Sequence, residues 1–105
     1  MNNPQKPDDA ATKIEAHNLA TQRFIDLANQ MVGDGLERQL VSAALMSASG
    51  IYSTYIAAGN EGFLQSSGVD RVSEIFRRNL AYIQERKKEE LTAKGLYKPE
   101  AAAES

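Results

Sequence analysis

Residues 39–60, QLVSAALMSASGIYSTYIAAGN, form a stretch of 22 residues without a charged side chain. The rest of the chain is rich in charge, since Asp, Glu, Lys and Arg make up 25% of its 105 residues. The stretch is long enough to cross a bilayer. Its six strongly apolar side chains would contribute only about −3 kcal/mol of insertion free energy, which the hydroxyl and amide side chains largely offset. We therefore expect a helix of a water-soluble core and no membrane contact.

Helical periodicity continues on both sides of this stretch. Apolar residues recur at intervals of three and four from His17 to Met31, and again from Val69 to Ile83. Strand-like alternation is absent from the sequence, and short glycine-containing segments separate the three helical patterns. The sequence thus predicts an all-α, three-helix bundle with a central, nearly uncharged second helix and a long third helix.

Helix ends are also suggested by the sequence. Start signals for the first helix cluster at Asp8, Asp9 and Thr12. Thr12, Asp34 and Ser67 are each followed three residues later by an acidic residue, which predicts a cap at the start of a helix. Gly33 and Gly95 are predicted to be the left-handed residues that follow the first and third helices. The expected helices cover about residues 12–32, 35–58 and 68–94.

Composition excludes several classes of function. The chain has no Cys, which excludes disulfides, zinc ribbons and iron–sulfur clusters, and His17 is its only imidazole. Phosphate-binding loops, nucleophile elbows and paired catalytic carboxylates are missing. We expect no enzyme activity, no cofactor and no metal site, and we interpret His17 as a partly buried structural residue.

Domain organisation is expected to be simple: a flexible arm over residues 1–8, one helical domain over 9–95 and a flexible tail over 96–105. The first residues lack the basic and apolar segments of a signal peptide, so we expect a cytoplasmic protein. The sequence pI of about 5.4 disfavours nucleic-acid binding as the default function.

The second helix has too wide an apolar surface for two neighbouring helices to cover. This predicts a homodimer in which small and aromatic residues of the second helix meet. The possible interface comprises Ala44, Ser47, Ala48, Ile51, Tyr52 and Tyr55. An alternative places a small-ligand pocket around Tyr52 and Tyr55, since buried hydroxyls need partners.

The third helix has an excess of basic residues. Residues 70–98 contain eight basic and five acidic side chains. One interpretation is weak binding of nucleic acid or another anionic partner; the other is a solvated face with ion pairs such as Glu74–Arg78, which the interspersed acids favour. The possible anion-binding residues are Arg77, Arg78, Arg86, Lys87 and Lys88.

RFIDLANQ at residues 23–30 and VSAALM at 41–46, followed by Ala57-Ala58, form a pattern that resembles a known family. The family consists of small bacterial helical proteins, known as domain of unknown function 3144, and the similarity covers about residues 18–90. The chain differs from the pattern at the basic residues 86–88. The resemblance implies a small bacterial all-helical protein, and it transfers no site residues because the family has no assigned activity.

Taken together, these patterns favour a non-enzymatic interaction or adaptor protein that associates with itself. The sequence does not name a pathway or a further protein partner.

Overall fold

A computed structural model of the chain describes residues 10–97, which form three helices and no strand. Helix α1 covers Ala10–Gly33, α2 covers Arg38–Ala58 and α3 covers Ser66–Ala93, with 24, 21 and 28 residues. The all-α prediction with three helices and a long third helix is therefore confirmed. The predicted N-terminal arm, and the predicted tail beyond Tyr97, lie outside the described residues.

The chain divides into two compact units, residues 1–52 and 53–105, and the division falls within α2. Each unit is described by itself below. The single helical domain predicted over residues 9–95 stays a prediction.

The turn after α1 closes with two backbone hydrogen bonds. The Leu36 N–H donates to the Met31 carbonyl oxygen at 3.1 Å, and the Gly35 N–H donates to the Val32 carbonyl oxygen at 3.0 Å. This is the Schellman arrangement, and its left-handed residue is Gly35 with φ of 112°. The prediction that Gly33 takes this role was wrong, because α1 continues through Gly33 and the chain turns two residues later.

The predicted side-chain caps at Thr12, Asp34 and Ser67 were wrong, while the start signals at Asp8 and Asp9 lie outside the described residues. Thr12 lies inside α1, and Asp34 lies in the turn that ends α1, four residues before α2 begins at Arg38. Ser67 lies inside α3, which follows Gln65, a residue that makes no side-chain cap hydrogen bond. The capping-box spacing was present at each site, but before α2 the turn that closes α1 determines which residue begins the helix.

The α2–α3 connection depends on two glycines. Gly59 is left-handed, with φ of 83°, and its N–H donates to the Tyr55 carbonyl oxygen at 2.8 Å. The Gly62 N–H donates in turn to the Gly59 carbonyl oxygen at 3.2 Å. A Cβ at Gly62 would overlap the carbonyl oxygen of Ala58, so this tight turn requires glycine.

The end of α3 repeats the closure seen after α1. The Leu96 N–H donates to the Leu91 carbonyl oxygen at 2.7 Å, and the Gly95 N–H donates to the Thr92 carbonyl oxygen at 3.0 Å. Gly95 is left-handed with φ of 73°. The prediction of a Schellman end at Gly95 is confirmed.

Packing within the first unit is concentrated near its turn, and Thr12 near the start of α1 is also half-buried. Val41, in the first turn of α2, is 6% exposed and is the one buried side chain among residues 10–97. Ala28, Met31 and Val32, at the end of α1, are half-buried. The remaining described residues of α2 up to Tyr52 are exposed.

The second unit has a similar limited contact region and no fully buried residue among those described. A Cβ at Gly68 would lie 3.2 Å from the Leu64 Cδ2, which shows how closely the start of α3 approaches the preceding loop. Its half-buried residues near the turn are Ser53, Thr54, Ala58, Leu64, Gly68 and Val72.

Candidate interaction surfaces

The α2 face predicted to form an interface occupies one side of a continuous helix. At 100° per residue, its six residues fall within about 140° of the helix circumference. All six are exposed in the single chain, including the three that carry large side chains: Ile51 is 54% exposed, Tyr52 65% and Tyr55 46%. We call this surface the α2 face; it consists of Ala44, Ser47, Ala48, Ile51, Tyr52 and Tyr55.

The expectation that α2 is the buried core helix of one chain was wrong. Apart from Val41, its side chains are half-buried or exposed, and Met46 and Ile56 are 62% and 73% exposed. Periodicity identified apolar positions correctly, but it contains no information about which other surface covers them. By length and composition alone, helix α2 is also long and apolar enough to cross a membrane, with a mean hydropathy of 1.3. One such helix in a chain is weak evidence for a membrane span.

The second surface lies on α3, where the sequence predicts apolar residues at helical spacing from Val69 to Ile83. Val69 and Phe76 are each 48% exposed, Leu80 is 44% exposed and Ile83 is 45% exposed. At 100° per residue these four fall within about 60° of the circumference, so they form one line along the helix. We call this line the α3 stripe; nothing in the sequence alone signalled that it would remain uncovered in one chain.

The N-terminal half of α3 has a group of ion pairs centred on Glu74. The Glu74 carboxylate contacts Arg77 Nη2 at 2.9 Å and Arg78 Nε at 3.2 Å. These hydrogen bonds lower the pKa of Glu74 to about 2, chiefly through Arg77 and next through Arg78. The predicted Glu74–Arg78 pair is present. The Glu74–Arg77 pair, three residues apart on the same helix, was not predicted.

The C-terminal half of α3 has a second group of pairs. Arg86 Nε lies 3.6 Å from a Glu89 oxygen, and Lys87 Nζ lies 3.3 Å from a Glu90 oxygen. Lys94 Nζ lies 3.1 Å from the other Glu90 oxygen. Hydrogen bonds from Lys94 and, to a smaller extent, from Lys87 lower the pKa of Glu90.

Two basic side chains also contact tyrosines. Arg86 donates from Nη1 to the Tyr82 hydroxyl at 2.9 Å, and its Cζ lies 5.8 Å from the centre of that ring. Lys88 Nζ lies 5.5 Å from the centre of the Tyr97 ring, a cation–π distance. All five predicted anion-binding residues therefore already have a carboxylate or an aromatic ring of the same chain beside them.

His17 is exposed, which corrects its interpretation as a partly buried residue. Its Nδ1 lies 3.3 Å from the Asn18 side-chain oxygen, and its carbonyl oxygen accepts a hydrogen bond from the Thr21 hydroxyl at 2.8 Å. Within residues 10–97, groups of three or more His, Asp or Glu side chains placed to hold a metal ion are absent.

Comparison with known proteins found no matching family model, no matching curated protein and no matching solved structure. The resemblance to the family of unknown function therefore stays a prediction.

Proposed function

We propose that the protein is a non-enzymatic, cytoplasmic helical interaction protein that functions as a self-associated assembly, a homodimer, through the α2 face. The observation that carries the proposal is the exposure of apolar side chains on every helix. Twenty-one large apolar side chains among the described residues are between 38% and 73% exposed. Monomeric soluble proteins rarely expose apolar surface on this scale.

The free energy available from covering these side chains exceeds the cost of association. Their exposed fractions add up to those of about eleven fully exposed side chains, and burying each is worth roughly 1.5–3 kcal/mol. Association of two proteins costs about 4–15 kcal/mol before any gain. Covering even half of the exposed apolar surface would therefore support a stable dimer.

The composition of α2 favours a protein partner over lipid. Serine, threonine and tyrosine hydroxyls occur on all sides of the helix, and the central window of residues 39–60 contains only six strongly apolar residues. Hydrocarbon offers these hydroxyls no partner outside their own helix, whereas a second copy and interfacial water add further ones. Small residues such as Ala44 and Ala48 also allow another helix to approach closely.

The other two candidate functions receive less support. Anion binding would require cations free of carboxylates, yet Arg77, Arg78, Arg86 and Lys87 are each paired on α3. A small-ligand site needs an enclosed surface, and Tyr52 is 65% exposed.

Sedimentation velocity and light scattering at micromolar concentrations test the proposal. We expect a species of twice the 11.5 kDa chain mass. Ala48→Arg places a charge on the α2 face and is expected to weaken association by at least about 100-fold, because an unpaired buried charge costs several kcal/mol.

Ala57→Arg is the matched control, since Ala57 lies nine residues further along α2 and therefore about 180° around it. This variant is expected to retain dimerisation to within about tenfold. A wild-type chain that stays monomeric and helical, or that floats with phosphatidylcholine–phosphatidylglycerol vesicles as a monomer, would overturn the proposal.

A further inference from the structure

We propose that the α3 stripe is a second docking surface and that its occupant is the α1–α2 half of a second copy of this chain. The inference rests on the proposed self-association and specifies which surfaces meet in it. It extends the contact beyond the α2 face and makes each chain contribute two separate surfaces.

The distribution of charge on α3 shows which side of the helix is prepared for contact. The stripe contains only apolar side chains from Val69 to Ile83. Glu74 pairs with both Arg77 and Arg78. Glu74 and Arg78 lie about 150–170° around the helix from the middle of the stripe, and Arg77 lies at its flank, about 90° away. A helix with an apolar line along one side usually packs that line against another element.

The large side chains of the α2 face supply less apolar area than a standard interface contains. Its three large side chains are exposed by 46–65%, which corresponds to about 170–330 Å² if one fully exposed side chain offers about 100–200 Å². A standard interface buries about 800 Å² per partner, of which somewhat more than half, about 450 Å², is apolar.

The α3 stripe supplies the missing area. Its four side chains are exposed by 44–48%, which adds about 190–370 Å² on the same scale. The two surfaces together reach the apolar area of a standard interface, whereas either alone falls short of it.

Charge identifies the half of the second copy that faces the stripe. Residues 10–58, which contain α1 and α2, have three basic and four acidic side chains, while residues 70–97 contain seven basic and five acidic ones. The two parts of the described chain therefore differ in sign, at −1 and +2. When α3 of one copy faces α1–α2 of another, the fields are complementary, whereas α3 against α3 brings two positive halves together.

Photo-crosslinking in mixed isotopic dimers tests the proposal. Benzoylphenylalanine at Leu80 places the crosslinker on the stripe, and the same group at Ala81, the adjacent residue and about 100° around α3, is the matched control. An equal mixture of ¹⁵N-labelled and unlabelled chains distinguishes links between copies from links within one chain. Circular dichroism and sedimentation first confirm that both variants are helical and dimeric.

We expect the Leu80 variant to crosslink between copies to peptides from residues 10–58, at a yield at least about five times that of the Ala81 variant. A dimer in which Leu80 links only within its own chain, only to the partner's α3, or to nothing would overturn this inference and leave self-association intact. A wild-type chain without dimer mass would instead overturn the proposed function from which it starts.

Discussion

Glu74 and Arg77 lie one turn apart on α3 and join through two parallel hydrogen bonds. Arg77 Nε donates to Glu74 Oε1 at 3.1 Å, and Arg77 Nη2 donates to Glu74 Oε2 at 2.9 Å. Arg78 donates from Nε to the second of these oxygens at 3.2 Å. One carboxylate therefore holds two guanidinium groups of α3, and its bidentate contact with Arg77 is stronger than a single charged contact.

Because of the Glu74 carboxylate, the stability of α3 is expected to fall at acid pH. The folded pKa of Glu74 is lowered from 4.5 to about 2, so its stabilising contribution is present above pH 4.5 and is lost as the pH falls toward 2. Thermal unfolding followed by circular dichroism should show Glu74→Gln melting below the wild type at neutral pH, with the difference vanishing near pH 2.

Glu85→Gln serves as the control for that series, because Glu85 forms none of the ion pairs described on α3. Its melting temperature should follow the wild type across the titration. A Glu74→Gln difference that stays constant from pH 7 to pH 2 would show that the ion pairs are not its cause.

Gly62→Ala is expected to destabilise the second unit, because the new methyl group would overlap the Ala58 carbonyl oxygen. Forcing the turn apart costs about 1–3 kcal/mol, which urea unfolding can measure. Gly33→Ala is the matched control: a Cβ there meets nothing within 4 Å and its φ is not positive, so stability should stay unchanged or rise by about 0.5–1 kcal/mol. Equal effects of the two substitutions would contradict the described turn.

The end of α3 should tolerate asparagine better than alanine or valine at position 95. Gly95 has φ of 73°, a conformation that costs an ordinary L-residue about 1–2 kcal/mol and that asparagine adopts more readily. We expect the melting temperatures to fall in the order wild type, Gly95→Asn, Gly95→Ala, Gly95→Val. A Gly95→Val variant as stable as the wild type would mean that residue 95 is not left-handed in solution.

Nucleic-acid binding by α3 should be weak until its acids are removed. At about 150 mM salt we expect no measurable binding of short duplex DNA by the wild type, because its arginines contact carboxylates of the same helix. The double variant Glu74→Gln/Glu90→Gln releases several of these cations and should bind with a steeper salt dependence in fluorescence anisotropy. Tight wild-type binding at that salt would make the basic helix a functional surface.

The sequence was most informative where a residue type has few alternatives. Gly95 followed by Leu96 predicted the closure of α3, since glycine adopts the left-handed conformation without strain. After α1, Gly33 and Gly35 were equally suited to that role, and the pattern selected the wrong one. The caps failed for the same reason: Asp34 had the right chemistry, but it belongs to the turn that ends the preceding helix.

The candidate surfaces were only partly predictable. Periodicity correctly marked Ile51 and Tyr55 on α2, and Phe76 and Leu80 on α3, as apolar positions of amphipathic or apolar helices. Whether such positions are covered within one chain depends on the spatial arrangement of the helices, which no local pattern encodes. The structure therefore changed the interpretation of α2 from core to exposed surface.

Val41 is the one buried side chain in the described part of the chain, and this has a consequence for the lifetime of the protein. If a second copy completes the fold, the folded fraction rises with total concentration, since stability and association become one equilibrium. Newly made chains at low concentration would be unfolded and open to proteases. Chains at concentrations above the dissociation constant of the dimer would protect one another by associating. The amount of the protein would then control its own turnover, without any separate regulator.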